Sequence, residues 1–258
     1  MDQLLSKLTN LSYELFGIFI PGFVLFLFLG WWWWCVGDLA PILSVDYLPT
    51  LAMRGISDGY VLVPNELKLG LVIYVAVASY FLGHLINWVG RSGGARESSA
   101  SSKIQRARED LSRCLKLSIP KPRESYSAGL EPLLAEGVQF LQLPPQSNGW
   151  SSFYPVAKSR VAQQLTQSLI VTYQNKYTLH RSLAIASAIW FWLTYFLAWF
   201  GAAISLQAED GPRWLPVLLS LFLSVLAVWG FSESYRFHWK MFGNSVISET
   251  FVLSRLKK

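Results

Sequence analysis

The side chains able to do chemistry in this sequence are bases interleaved with aromatic rings. Lys158 and Arg160 follow Phe153 and Tyr154, and further on Tyr173, Lys176, Tyr177 and Arg181 recur at about one-turn intervals. A cation beside a flat aromatic face suits a phosphate held by charge with a base stacked next to it. That is the chemistry of binding a nucleotide or a single-stranded oligonucleotide. These six residues are the candidate ligand-binding set, with Tyr173 or Tyr177 as the stacking platform. A second group lies in apolar sequence: the Pro21-Gly22 step, and His84 and Asn87, three residues apart and so on neighbouring positions of one helix face. A proline inside a helix withholds its own N–H and crowds the carbonyl four residues earlier, here that of Gly17. In lipid such a carbonyl needs a partner, so this point belongs against another helix or a wet cavity. The step reads as a packing kink or as a gating hinge. His84 reads as a structural histidine bonding a neighbouring helix or as a pore-lining group.

The signatures of catalysis are missing. The sequence contains no phosphate-binding glycine loop, no H-E-x-x-H, no G-x-S-x-G and no Cys/His pair at ligand spacing. Three scattered histidines and two cysteines support neither a metal site nor a disulfide framework. The chain is expected to be no enzyme and to carry no cofactor.

The elements that must position these residues are apolar helices. Four runs, near Phe16–Val36, Leu69–Val89, Leu183–Leu206 and Trp214–Phe231, approach the roughly 20 apolar residues that cross about 30 Å of hydrocarbon. Hydrophobic residues make up 52% of the chain and charged ones only 15%, with twelve tryptophans, well outside soluble usage. The second and third runs hold no formal charge, which argues against an ion-coupled transporter.

Charge sets the orientation. Between Arg91 and Arg181 there are thirteen Lys/Arg against six acids, a surplus of seven where the whole chain carries only +6. The segments Asp38–Lys68 and Gln207–Arg213 are acidic on balance, and the tail is basic. Basic segments stay inside, so both termini and the central stretch are expected in the cytoplasm. The fold class that follows is an all-α membrane protein, four transmembrane helices with a helical cytoplasmic domain inserted between spans 2 and 3.

Taken in order, residues 1–12 read as an interfacial amphipathic helix, with Leu4, Leu5, Leu8 and Leu11 on one side. Residues 13–91 form the first transmembrane hairpin, with Trp31 to Trp34 as an outer girdle and an outer loop over 38–68. Residues 92–181 form the basic cytoplasmic domain. It opens on a Ser/Gly-rich linker, and helices are expected over Lys103–Leu117, Leu130–Leu143 and from about Pro155 onward. No breaker separates that last pattern from Leu183, so one helix is expected to run straight into the third span. Residues 182–231 form the second hairpin and 232–258 a cytoplasmic C-terminal amphipathic helix.

Two short patterns carry a resemblance. Tyr13-Glu14-Leu15-Phe16-Gly17 followed by Pro21-Gly22, and Tyr173…Tyr177…Arg181-Ser182-Leu183-Ala184 entering the third span, resemble small membrane effectors of bacterial anti-phage operons. The four-span, basic character is similar to the chloride-channel subunit of the Hailong type. The resemblance implies an anion-selective homo-oligomeric channel in a bacterial inner membrane, gated by a nucleotide-derived ligand that an operon-encoded nucleotidyltransferase supplies. Symmetric copies would place the basic residues as a ring at the inner mouth, which favours anions. Alternatively those bases bind anionic lipids and fix topology. A non-conducting scaffold that recruits a soluble partner through residues 92–181, or a small-solute transporter, are the other functions compatible with the sequence.

Overall fold

The computed structural model describes residues 11–12, 14–36, 65–90, 125–143, 150–164, 168–205 and 214–256, and among these there is no strand. A π-helical turn, Leu15–Phe19, leads into α1, Ile20–Val36. After these come α2, Asn65–Gly90, a 3-10 turn at Ala128–Leu130 and α3, Glu131–Phe140. The last three are α4, Trp150–Gln164, α5, Leu169–Ser205, and α6, Trp214–Leu256. Among the described residues three helices are long and apolar enough to cross a membrane: α2 from Lys68 to Val89, α5 and α6. The apolar stretch Leu15–Trp31 that enters α1 is shorter.

The apolar ends of these helices form one bundle with α5 at its centre. More than half of the apolar window of α5 is buried, whereas the windows of α2 and α6 mostly face outward. Ile185 and Ala186 on α5 pack with Leu25 on α1 and Ile86 on α2, and Phe28 stacks on Trp190 with ring centroids 4.2 Å apart. The outward faces of α2 and α6 are apolar (Val72, Ile73, Val77 and Phe81; Leu215, Leu218, Phe222 and Leu226), as helix faces turned to lipid must be.

A second core lies at the other ends of α5 and α6. There α3 and α4 pack on the C-terminal half of α6, burying Leu134, Phe153, Ala157 and Val161 against Ile170, Phe242, Val246 and Ile247. Polar ties fix the arrangement. Asn244 Oδ1 accepts from the Ser127 N–H at 2.8 Å, while its Nδ2 donates to Ser127 Oγ at 3.1 Å. Arg255 pairs with Glu136 at 3.1 Å. The start of α5 is held by Glu249 of α6, whose carboxylate accepts from Ser168 Oγ at 2.6 Å and from the Leu169 N–H at 2.7 Å.

Several expectations are corrected. The helix foreseen from Pro155 into the third span is two helices, since α4 ends at Gln164 and α5 begins at Leu169. Ser168 marks that start locally, its Oγ accepting from the Ile170 N–H at 3.1 Å, and Glu249 adds a long-range acceptor from another helix. Pro155 lies inside α4 instead of opening a helix. The tail is no separate helix: α6 runs unbroken for 43 residues. The helix expected over Leu130–Leu143 spans Glu131–Phe140, closed by Gln142 at φ 53°. Helix α2 starts at Asn65, inside the stretch assigned to the outer loop, whose remainder lies outside the described residues. The helix expected over Lys103–Leu117 and nearly all of the N-terminal one also lie outside them.

Candidate functional site

The carbonyl that Pro21 displaces is met from two other helices. Gly17 O accepts a hydrogen bond from Asn87 Nδ2 at 3.0 Å and one from Ser182 Oγ at 3.3 Å. Just before the proline the chain widens by one residue per turn, the Ile20 N–H reaching back to Leu15 O. Gly22 sits directly on the next helix, where a Cβ would overlap Ser79 O. Reciprocally, a Cβ on Gly83 would overlap Ile18 O. Pro21, Gly22 and Asn87 are therefore one three-helix junction. His84 is not part of it: its exposed ring meets Tyr80 edge-on at 4.6 Å, one turn earlier on the same helix. The turn geometry of α2 separates the two residues, carrying Asn87 with buried Gly83 and Ile86 and leaving His84 on the outward side.

The six ligand candidates fall into two groups. Lys158 and Arg160 stand on α4, the first half-buried and the second exposed. Burial pushes the Lys158 ammonium below the usual lysine range and the Tyr154 phenol above the usual tyrosine range. Tyr173, Lys176, Tyr177 and Arg181 stand on α5, which packs against α6 along its length. Tyr177 packs among other rings. Its ring is enclosed edge-on by Trp239 at 5.2 Å, Phe242 at 5.1 Å and Tyr235 at 6.3 Å, so it belongs to the core. Tyr173 lies at the rim of that core with the Lys176 ammonium 5.5 Å from its ring centre. Arg181 is half-buried with interactions of its own.

Two residues outside the sequence-based set complete this junction. His180 and His238 stack across the α5–α6 seam with ring centroids 4.8 Å apart and planes 21° from parallel. Phe231 and Tyr173 flank the pair at 6.1 and 6.4 Å. His238 Nδ1 lies 2.7 Å from Ser234 O, and since a carbonyl only accepts, that nitrogen carries the proton. His180 Nδ1 is buried without a hydrogen-bond partner. The two histidines are 58 residues apart, and no spacing rule links them. The signal available was the antiparallel register: folding the sequence symmetrically about residues 207–213 sets residue 180 opposite residue 240, within about one helical turn of His238.

Among the described residues no group of three or more His, Cys, Asp or Glu side chains is placed to hold a metal ion. Nine of the thirteen Lys/Arg of the central stretch, from Arg91 to Arg123, lie outside the described residues. What the fold and these sites define is an all-helical, membrane-associated protein with a packed polar-capped core joined to its apolar bundle by two long helices. No protein-family model, no curated protein and no solved structure matches the chain.

Proposed function

We propose that the chain is a subunit of an oligomeric, anion-leaning membrane channel of four spans with both termini inside, opened or closed by an anionic ligand on the cytoplasmic domain. The observation that supports it best is the continuity of α5 and α6. At 37 and 43 residues they measure about 55 and 65 Å, against roughly 30 Å of hydrocarbon. Each carries core residues of both packed regions: Ile170 and Ile185 on α5, and Val217 and Phe242 on α6. A displacement of α3 or α4 is thus transmitted to the bundle without a flexible link. The bundle interior is filled at Gly22–Ser79 and at Leu25–Ile86–Ile185, so in this reading ions pass between subunits and not through one bundle.

The excess of Lys/Arg at the inner mouth selects anions in this reading. The resemblance to Hailong-type effectors supports a bacterial inner membrane, a nucleotide-derived ligand and a partner nucleotidyltransferase. The test is current through the purified protein in a planar bilayer under a chloride gradient, with and without short oligonucleotides. Reversal near the chloride equilibrium potential, altered by the oligonucleotide, is the expected result. Inserted oligomeric protein that passes no current in either condition would replace the channel by a scaffold.

A further inference from the structure

We infer that a second copy of this chain packs on one strip of α2, made by Gly70, Ile73, Val77, Tyr80 and His84. The inference deepens the channel reading. It rests on that reading for there being several copies, and it names the face by which they meet.

What carries it is where the chain puts polar groups on its membrane helices. In the apolar half of α6, Ser220 and Ser224 are buried, their hydroxyls donating to Pro216 O at 2.7 Å and Leu221 O at 2.8 Å. The exposed residues of α6 between Leu215 and Leu226 are all apolar. Helix α2 departs from that pattern. Tyr80 is 43% exposed, His84 is exposed as well, and their two rings meet edge-on at 4.6 Å. Among the described residues, no hydrogen bond reaches either side chain.

Depth makes this exposure costly. At 1.5 Å per residue Tyr80 stands about 18 Å from Lys68 and about 14 Å from Val89, the two ends of the span. Its phenol is therefore near the middle of the membrane and not in an interfacial aromatic belt. His84 lies about 8 Å inside Val89 by the same measure. Polar side chains at such depth face protein or water, because hydrocarbon offers neither donor nor acceptor. The interior of their own subunit lies on the other side of α2, where Gly83 and Ile86 are buried.

The chemistry of the strip selects another copy. A phenol hydroxyl both donates and accepts, so it pairs with an imidazole in either protonation state of the ring. Tyr80 of one copy serves His84 of the next, and the strip is complementary to itself. Gly70, Ile73, Val77, Tyr80 and His84 are spaced alternately three and four apart, the seam of a left-handed helix pair, and all five are exposed. Gly70 has open space where a Cβ would stand, which admits a close helix. Ile73 and Val77 suit lipid and a neighbouring helix equally, so the polar pair decides between them. In the channel reading, ions passing between subunits then run beside Tyr80 and His84.

The test places single cysteines in the full chain, with Cys35 and Cys114 replaced by serine, and oxidises the membranes that hold it with iodine. Ile73→Cys and Val77→Cys should give covalent dimers on a non-reducing gel, because copies meeting along the strip bring these positions within disulfide reach. Leu218→Cys and Phe222→Cys, on the outward face of α6, should stay monomeric. A second measurement keeps the native cysteines and follows energy transfer between donor- and acceptor-tagged copies as lipid dilutes them. Tyr80→Phe and His84→Leu, both at exposed positions, should each weaken association about threefold or more. The double variant should lose little beyond the worse single one, since the two groups serve each other. Phe222→Ala should leave association unchanged.

Dimers through α6 and none through α2 would move the contact to the other outward face and overturn the strip. Dimers through neither face, or association indifferent to both polar substitutions, would overturn it as well. Bilayer current is a separate readout. Dimers through α2 in a silent membrane remove the channel and keep the contact, whereas current without such dimers keeps the channel and removes the contact.

Discussion

Asn87 Nδ2 donates to Gly17 O across the first helix pair at 3.0 Å, and Gly17 is the residue whose carbonyl Pro21 crowds. The proline creates the need and the asparagine meets it, with Ser182 of α5 as second donor. Interhelical hydrogen bonds in membranes are worth about 0.6 kcal/mol on average and up to ~1.7. Asn87→Ala should destabilise the bundle by an amount in that range, and Asn87→Ala with Ser182→Ala by more than the sum, because the carbonyl is then orphaned. In a Pro21→Ala background the helix supplies its own donor, so the cost of Asn87→Ala should shrink. Thermal unfolding in detergent, run as a double-mutant cycle, measures each term.

The neighbouring glycines make a sharper claim. Gly22 and Gly83 each face backbone atoms that cannot move aside, whereas a methyl added at Gly70 or Gly230 would meet nothing within 4 Å. Gly22→Ala and Gly83→Ala should force α1 and α2 apart at a cost of about 3 kcal/mol or more. Gly70→Ala and Gly230→Ala should be neutral or stabilise by up to ~1 kcal/mol through helix propensity. The folded fraction after size-exclusion chromatography separates the two pairs.

What the sequence disclosed follows from what is local. Apolar runs gave the bundle helices α2, α5 and α6, and proline chemistry pointed to an acceptor at Gly17 that another helix had to satisfy. Whatever depended on two distant segments meeting stayed hidden. Tyr177 looks like a binding aromatic because Lys176 adjoins it, and only its meeting with Trp239 and Phe242 makes it core. His180 and His238 read as scattered until the hairpin is folded. The break before Leu169 has no proline or glycine to announce it; its one local mark is Ser168, whose Oγ accepts from the Ile170 N–H, and the acceptor for the Leu169 N–H is on Glu249, 80 residues away.

That cap is testable by itself. Glu249 receives two bonds at the start of α5, one from Ser168 and one from the Leu169 N–H. Glu249→Ala should cost about 1–2 kcal/mol, as expected for charge-assisted bonds at a partly exposed site. Hydrogen exchange should quicken over residues 169–173 before it changes in the apolar part of α5. Equal protection along α5 in the variant would remove Glu249 from this role.

Lys158 predicts a pH effect of definite sign. Burial lowers its pKa, so between the lowered value and the ordinary lysine range the unfolded chain holds more protons than the folded one. Stability should therefore rise as pH climbs through that window, just below 10.5, and Lys158→Met, which keeps the stem and removes the charge, should flatten the rise and lift the melting temperature at pH 7. Melting curves from pH 8 upward check this. An unchanged slope in the variant would transfer the effect to another base.

Tyr177 and Lys176 are adjacent in sequence and should fail differently. Tyr177 is enclosed by Tyr235, Trp239 and Phe242, so Tyr177→Ala should cost about 2–4 kcal/mol of stability, somewhat below the range for a fully buried large aromatic. Tyr177→Phe keeps those ring contacts and should cost far less. Lys176 is exposed with its ammonium near Tyr173, so Lys176→Gln should leave the melting temperature within about 1 °C and instead weaken any phosphate-bearing ligand and its salt dependence. Melting and binding measured on the same preparations decide the matter. If Tyr177→Ala melts like the parent while binding is lost, the ring is a ligand contact and its enclosure by α6 is incidental.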